Sequence, residues 1–174
     1  MKSQQGITLI EACVTVAVAT VVAASAAPNM QQLIEARRFD GIANQLASDL
    51  QFTRISAMAR NQRVRFSLQT DATGSCYVIH TGSPEACRCG ESGPAVCESG
   101  ASEIRTVRLL TSGRVLAQAN VASILFDPVH GTSTPTGTVR VIGSDGRELR
   151  HIVNLMGRVR TCSPQGGVGG YRAC

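Results

Sequence analysis

The 174-residue sequence has no tryptophan, and its two tyrosines and four phenylalanines make it only 3% aromatic. Lysine is nearly absent too: Lys2 is the only one, and the other sixteen cations are arginines. Charged residues make up 17% against 43% hydrophobic, and neither an internal repeat nor a heptad array is present, so a long disordered tail and a coiled-coil rod are both excluded. Catalytic signatures are missing as well. His80, His130 and His151 lie far apart with no HExxH, GxSxG or Gly-rich phosphate loop around them, and scattered Ser, His and Asp do not define a triad. The expectation is a protein that is not an enzyme and carries no cofactor.

What is present begins with Ile7 to Ala27, an unbroken run of 21 residues whose only charge is Glu11. As a helix it would be roughly 30 Å long, the thickness of a bilayer's hydrocarbon core. Lys2 precedes it with no acid between, which puts the short leader in the cytoplasm and the remainder, with six cysteines, in an oxidising space. An ordinary secretory peptide cleaved after Ala24-Ser25-Ala26 would have a shorter, uncharged apolar region. A lipoprotein site at Cys13 would need an apolar region ahead of it, and there is none. Cys13 reads as a small buried hydrophobe.

The string GITLIE after a six-residue polar leader resembles the N-terminus of type IV pilins and pseudopilins. The resemblance implies that a prepilin peptidase cuts after Gly6 and methylates the new amino terminus at Ile7, with the hydrophobic helix retained. It implies a role for Glu11 as well. A carboxylate in hydrocarbon costs about 2.5–3.5 kcal/mol at the bilayer centre and needs a partner; in this family the equivalent glutamate pairs with the amino terminus of a neighbouring subunit. Pro28 matches the helix-kinking proline of many pilins. The resulting division is a leader over 1–6, a transmembrane and assembly helix over 7–29, and a periplasmic or extracellular domain over 30–174.

Beyond the anchor, Phe39, Ile42, Ala43, Leu46, Leu50 and Ile55 recur near helical spacing between Leu33 and Arg60, predicting an amphipathic helix with one face on a sheet. Alternation then takes over at Val64, Phe66 and Leu68, at Tyr77 and Ile79, and at Val107 and Leu109. Further strands are expected at Ser123 to Asp127, Gly137 to Gly143 and Glu148 to Leu155, the last two joined by the tight-turn signal Ser144-Asp145-Gly146. Thr81 to Ala101 reads as a loop. A helix packed on antiparallel strands is an α+β domain, and with the N-terminal resemblance it is the type IV pilin fold.

Cys76, Cys87, Cys89, Cys97, Cys162 and Cys174 form an even set with fifteen possible connectivities. Sequence separation favours Cys162 with Cys174, closing a Gly-rich tail, and two bridges among the other four. A zinc site from the first four would have C-x10-C-x-C-x7-C spacing, which lacks the paired C-x2-C of structural zinc modules. No metal is expected.

The stretch from Val139 to Cys174 is the most basic, with six arginines against Asp145 and Glu148. Within it, Gly157-Arg158-Val159-Arg160 resembles the GRxR motif near the C-terminus of minor pilins of the GspH/FimT class, some of which bind DNA during natural transformation. In an extended chain Arg158 and Arg160 point to the same side, with Val159 turned inward. Gly157 permits a close backbone approach to a ligand or a special dihedral. Arg140, Arg147, Arg150 and Arg172 can add to the basic face, and Tyr171 is the one aromatic near enough to stack on a base. Such a face binds phosphates of double-stranded DNA without reading sequence. The expected protein is a minor pilin, at the inner membrane before assembly and then in or near the filament tip with other major and minor pilins. The rival is a type II secretion pseudopilin, which would export proteins without binding DNA.

Overall fold

The computed structural model describes residues 8–90 and 93–174. It divides into two compact units, Met1–Asp40 and Gly41–Cys174. The expected leader and the positions expected for cleavage and methylation, Gly6 and Ile7, lie outside the described residues.

One helix, α1 (Leu9–Arg60), begins in the first unit and ends in the second. Thr8 caps its start: the Thr8 carbonyl accepts the Ala12 N–H and its hydroxyl accepts the Glu11 N–H at 3.4 Å. In the first unit Leu9, Ile10, Val14, Val16, Val18, Val21 and Val22 are all exposed, so this stretch has no protein core of its own. Thr15, Thr20 and Ser25 donate their hydroxyls to carbonyls three residues back, at 2.8–2.9 Å, which satisfies those groups without water. The helix is long and apolar enough to cross a membrane, and internal satisfaction of polar groups is what hydrocarbon demands.

In the second unit α1 turns Ala43, Leu46, Leu50, Thr53 and Ala57 inward at helical spacing, with Asp49 and Ser56 beside them. Ile55, expected on this face, is 58% exposed. It sits half a turn away from Leu46, and the small residues Thr53, Ser56 and Ala57 fill the contact, where they let the helix approach closely.

Eleven strands follow among the described residues. The five-stranded sheet has the order β5-β2-β1-β7-β8, formed by β5 (Glu103–Leu110), β2 (Gly74–His80), β1 (Val64–Asp71), β7 (Ser123–Phe126) and β8 (Ser133–Thr134). The four-stranded sheet has the order β11-β10-β9-β6, formed by β11 (Val159–Cys162), β10 (Glu148–Val153), β9 (Gly137–Gly143) and β6 (Val115–Ala119). All their pairings are antiparallel. Strand β9 has its expected bounds, and Gly146 makes the turn after it with φ +84°. Strand β10 ends two residues early, because Asn154 starts a turn.

Every residue of β2 is buried, because the strand is covered on both faces. On one face Tyr77 stacks with Phe66 at 5.0 Å and donates its hydroxyl to Asp49 of α1 at 2.8 Å. The Asp49 carboxylate also takes an ion pair from Arg105 of β5, whose guanidinium lies over the Phe52 ring at 4.8 Å. On the other face Cys76 and Val78 pack with Cys87, Cys89, Ala95, Cys97 and Ala101. The segment expected as a bare loop thus contains a miniature hairpin, β3 (Cys87–Arg88) with β4 (Val96–Cys97). The Cys87–Cys97 disulfide staples the two strands of this hairpin together, and Cys76–Cys89 fastens it to the back of the sheet.

His80 lies in the same layer and is fully buried. Its Nδ1 is 2.9 Å from the Thr81 carbonyl and its Nε2 2.8 Å from the Ser67 hydroxyl, so Nδ1 donates and Nε2 accepts. Burial lowers its pKa. His151, on the inner face of β10, has one ring nitrogen 2.9 Å from the Thr161 hydroxyl and the other without a hydrogen-bond partner. Burial pushes it down to about 4.

Two predictions follow from these buried groups. Asp49→Ala in the soluble domain from Met30 should lower the unfolding free energy by about 2 kcal/mol in urea, and Tyr77→Phe by about 1, since the first strands a buried hydroxyl and the second removes one hydrogen bond. Unfolded His151 takes up its proton near the ordinary histidine value of 6.5 and the folded one only near 4, so its contribution is lost as pH falls through that window. The stability difference between pH 7 and pH 5 should therefore shrink by roughly 2 kcal/mol in His151→Leu.

Candidate nucleic-acid interface

The four-stranded sheet shows how the C-terminal arginines are placed. Its inner face carries Val139, Val141, Leu149, His151 and Val153, all buried. In the register of the strands Arg140 lies opposite Arg150, Arg150 opposite Cys162, and Ile152 opposite Arg160. Arg140, Arg150 and Arg160 therefore share the outer face.

Glu148 decides which of these charges is available. Its carboxylate accepts from Arg140 at 2.8 and 3.1 Å and from Arg150 at 2.7 Å. Hydrogen bonding from Arg140, then from Arg150, holds its pKa below the usual glutamate range. Arg147 is beyond it at the end of the hairpin, paired to Asp145 at 2.5 Å. Arg158 and Arg160 are exposed, and among the described residues neither forms an ion pair with a carboxylate. With Ile152 and Asn154 they line one surface depression, which is the common orientation expected from alternation.

The turn before them is built from Asn154 and Gly157. The Gly157 N–H donates to the Asn154 carbonyl at 2.8 Å, and the Asn154 N–H to the Arg158 carbonyl at 3.2 Å. The Arg158 N–H donates to the Asn154 side chain at 2.9 Å. Ser133 ties the turn to β8, donating its hydroxyl to the Asn154 carbonyl at 2.7 Å and its N–H to the Leu155 carbonyl at 2.9 Å. Gly157 has φ +69°, the left-handed conformation that follows such a turn. A Cβ there would stand 2.2 Å from the Gly131 carbonyl and 3.0 Å from Arg54 Nε, which itself donates to that carbonyl at 2.9 Å. The special dihedral is present, but the close approach expected of a ligand is made by the chain itself. Gly157 is buried, and its part is to set the direction of the strand that carries the arginines.

The tail is closed by Cys162–Cys174. Arg172 inside it is exposed, and its carbonyl accepts the Ser163 N–H at 2.9 Å. The Tyr171 hydroxyl is directed to Asn44 of α1 at 3.3 Å, so this ring belongs to the helix contact and is not a free stacking platform. Glu11 lies in the first turn of α1, and Cys13 is exposed on the same helix. Sequence reasoning missed Asn154 and Glu148; an Asn three residues before a Gly is the local signal of the turn, whereas the neutralising role of Glu148 depends on strand pairing.

Comparison with known proteins places the chain. The family model described as type II transport protein GspH matches residues 43–157. The chain belongs to this family, and the match stops one residue before Arg158. Two crystal structures of the type IV minor pilin FimU from Pseudomonas aeruginosa strain PAO1 are similar in fold. One has TM-score 0.51 at 20% identity, over 73% of this chain and 92% of that one. The other, in a second crystal form, has TM-score 0.49 at 20% identity, over 72% and 97%. No curated protein matches the chain by sequence. The fold is thus the α+β pilin fold, in a family of minor pilins and pseudopilins.

Gly157→Ala should destabilise the domain by about 3 kcal/mol, from the left-handed φ and the overlap with backbone at Gly131. Urea unfolding checks this, and a loss below about 1 kcal/mol would show that the turn relaxes around the added methyl.

Proposed function

We propose that this protein is a minor type IV pilin that binds double-stranded DNA through Arg158 and Arg160 during natural transformation. The observation that carries the reading is electrostatic. On a sheet face where Arg140 and Arg150 share Glu148, Arg158 and Arg160 stand exposed around one depression with no acid paired to them among the described residues. Two guanidinium groups so placed suit successive phosphates, because each is permanently charged and presents a fork of donors. Arg172 adds a further exposed charge on the C-terminal tail, and Arg140 and Arg150 together outweigh the one glutamate they share.

The remaining parts of the reading follow the N-terminus. Prepilin peptidase cuts after Gly6 and methylates Ile7, and α1 holds the subunit in the inner membrane with its domain in the periplasm. On assembly Glu11 meets the amino terminus of a neighbouring pilin, so the domain passes to the filament and the cell surface. Function is binding and assembly, with no turnover. Weak single-site affinity suffices where several subunits engage one duplex.

The second reading is a type II secretion pseudopilin. It is favoured by the description of the matching family and by the match ending before the arginines. A salt titration of duplex binding by the disulfide-bonded domain from Met30 separates the two. Wild type should bind at low salt with affinity falling steeply as salt rises, and Arg158→Gln/Arg160→Gln should flatten the log–log slope by roughly two while remaining folded. No wild-type binding at low salt would favour the pseudopilin.

A further inference from the structure

The turn that leads into the arginines presents two large apolar side chains to water. Leu155 is 60% exposed and Met156 62%. They occupy the central positions of the turn closed by the Gly157 N–H to the Asn154 carbonyl, where polar residues are the usual choice. Turn geometry does not require them: Asn154 and Gly157 supply the local hydrogen bonds and the left-handed φ. Nor are they on a loose loop. Ser133 holds the turn to β8 through two hydrogen bonds, and Gly157 is packed against Gly131 and Arg54.

Their position relative to the charges is equally specific. Leu155 borders a depression with Asn120, Thr138, Ile152 and Asn154. The arginine depression shares Ile152 and Asn154 with it. A firmly held apolar tip thus adjoins two guanidinium groups that have no acid partner among the described residues.

We infer that Leu155 and Met156 form a wedge that inserts between base pairs of double-stranded DNA while Arg158 and Arg160 hold the flanking phosphates. This deepens the DNA-binding reading and rests on it. The arginines select the occupant: a polyanion that also offers an apolar surface within reach of its charges matches both halves of the site, and a stacked duplex has both. Apolar wedges of Leu or Met that unstack a base step and kink the duplex are an established way for proteins to engage DNA without base-specific hydrogen bonds. The wedge therefore adds affinity and a preference for flexible pyrimidine–purine steps.

The test uses the full chain in detergent micelles with a short duplex carrying 2-aminopurine at a pyrimidine–purine step. Affinity is read by anisotropy and unstacking by 2-aminopurine emission. Wild type should raise the emission. Leu155→Ser/Met156→Ser should abolish the rise and weaken binding about tenfold, with the salt slope unchanged because the phosphate contacts remain. The apolar exchange Leu155→Met/Met156→Leu should keep both signals, which separates insertion from a disturbed turn. Wild-type binding without a rise in emission, or a serine variant that binds and unstacks like wild type, overturns the wedge and leaves the arginine reading standing. A serine variant that keeps DNA binding but no longer co-purifies with filaments makes the tip a subunit contact and also overturns the wedge. Absence of any wild-type binding overturns both readings together.

Discussion

The fold depends on one carboxylate. Asp49 is buried on the inner face of α1, accepts the Tyr77 hydroxyl from β2 and pairs with Arg105 from β5. A charge taken out of water needs both partners in place, so the helix has one azimuth and one height on the sheet. That azimuth brings Thr53, Ser56 and Ala57 onto the sheet and carries Arg54 to the Gly131 carbonyl. Gly131 and Arg54 in turn leave room only for a glycine at 157. The orientation of the arginine strand is thus connected, through packing, to an ion pair on the other side of the helix.

Charge on the C-terminal sheet is partitioned by pairing. Counting arginines makes the whole hairpin basic, but one glutamate at the start of β10 engages two of them. What remains is a small site at the sheet's edge strand, next to a turn with apolar side chains. An edge strand exposes backbone groups as well, and arginines there discourage pairing with other strands. The same two side chains therefore suit both solubility of the monomer and capture of a polyanion.

Much of this was legible in the sequence, and the exceptions have physical reasons. The apolar run marked the membrane-length first part of α1, and alternation marked β1, β2, β5, β7, β9 and β10. The cysteine count with sequence separation isolated Cys162–Cys174. Ile55 misled because periodicity reports apolar residues, whereas this contact is made by small ones. The buried role of Asp49 was not legible, since nothing local reveals Tyr77 and Arg105 as its partners. Leu155 extended the expected strand because an apolar residue in a turn resembles a strand residue until the hydrogen bonds of Asn154 and Gly157 are known. The miniature β3–β4 hairpin, two residues on each side, lacks the length for any periodic signal.

The three disulfides close rings of sequence separation 13, 10 and 12, and none joins α1 to a sheet or one large sheet to the other. Cys76–Cys89 and Cys162–Cys174 fasten an accessory piece, the hairpin behind β2 or the C-terminal tail, to a strand already held by its neighbours, and Cys87–Cys97 closes that hairpin on itself. Oxidation therefore decorates a body whose architecture it does not define. The helix and sheets can therefore assemble first and receive their cross-links afterwards, with each cysteine already beside its mate.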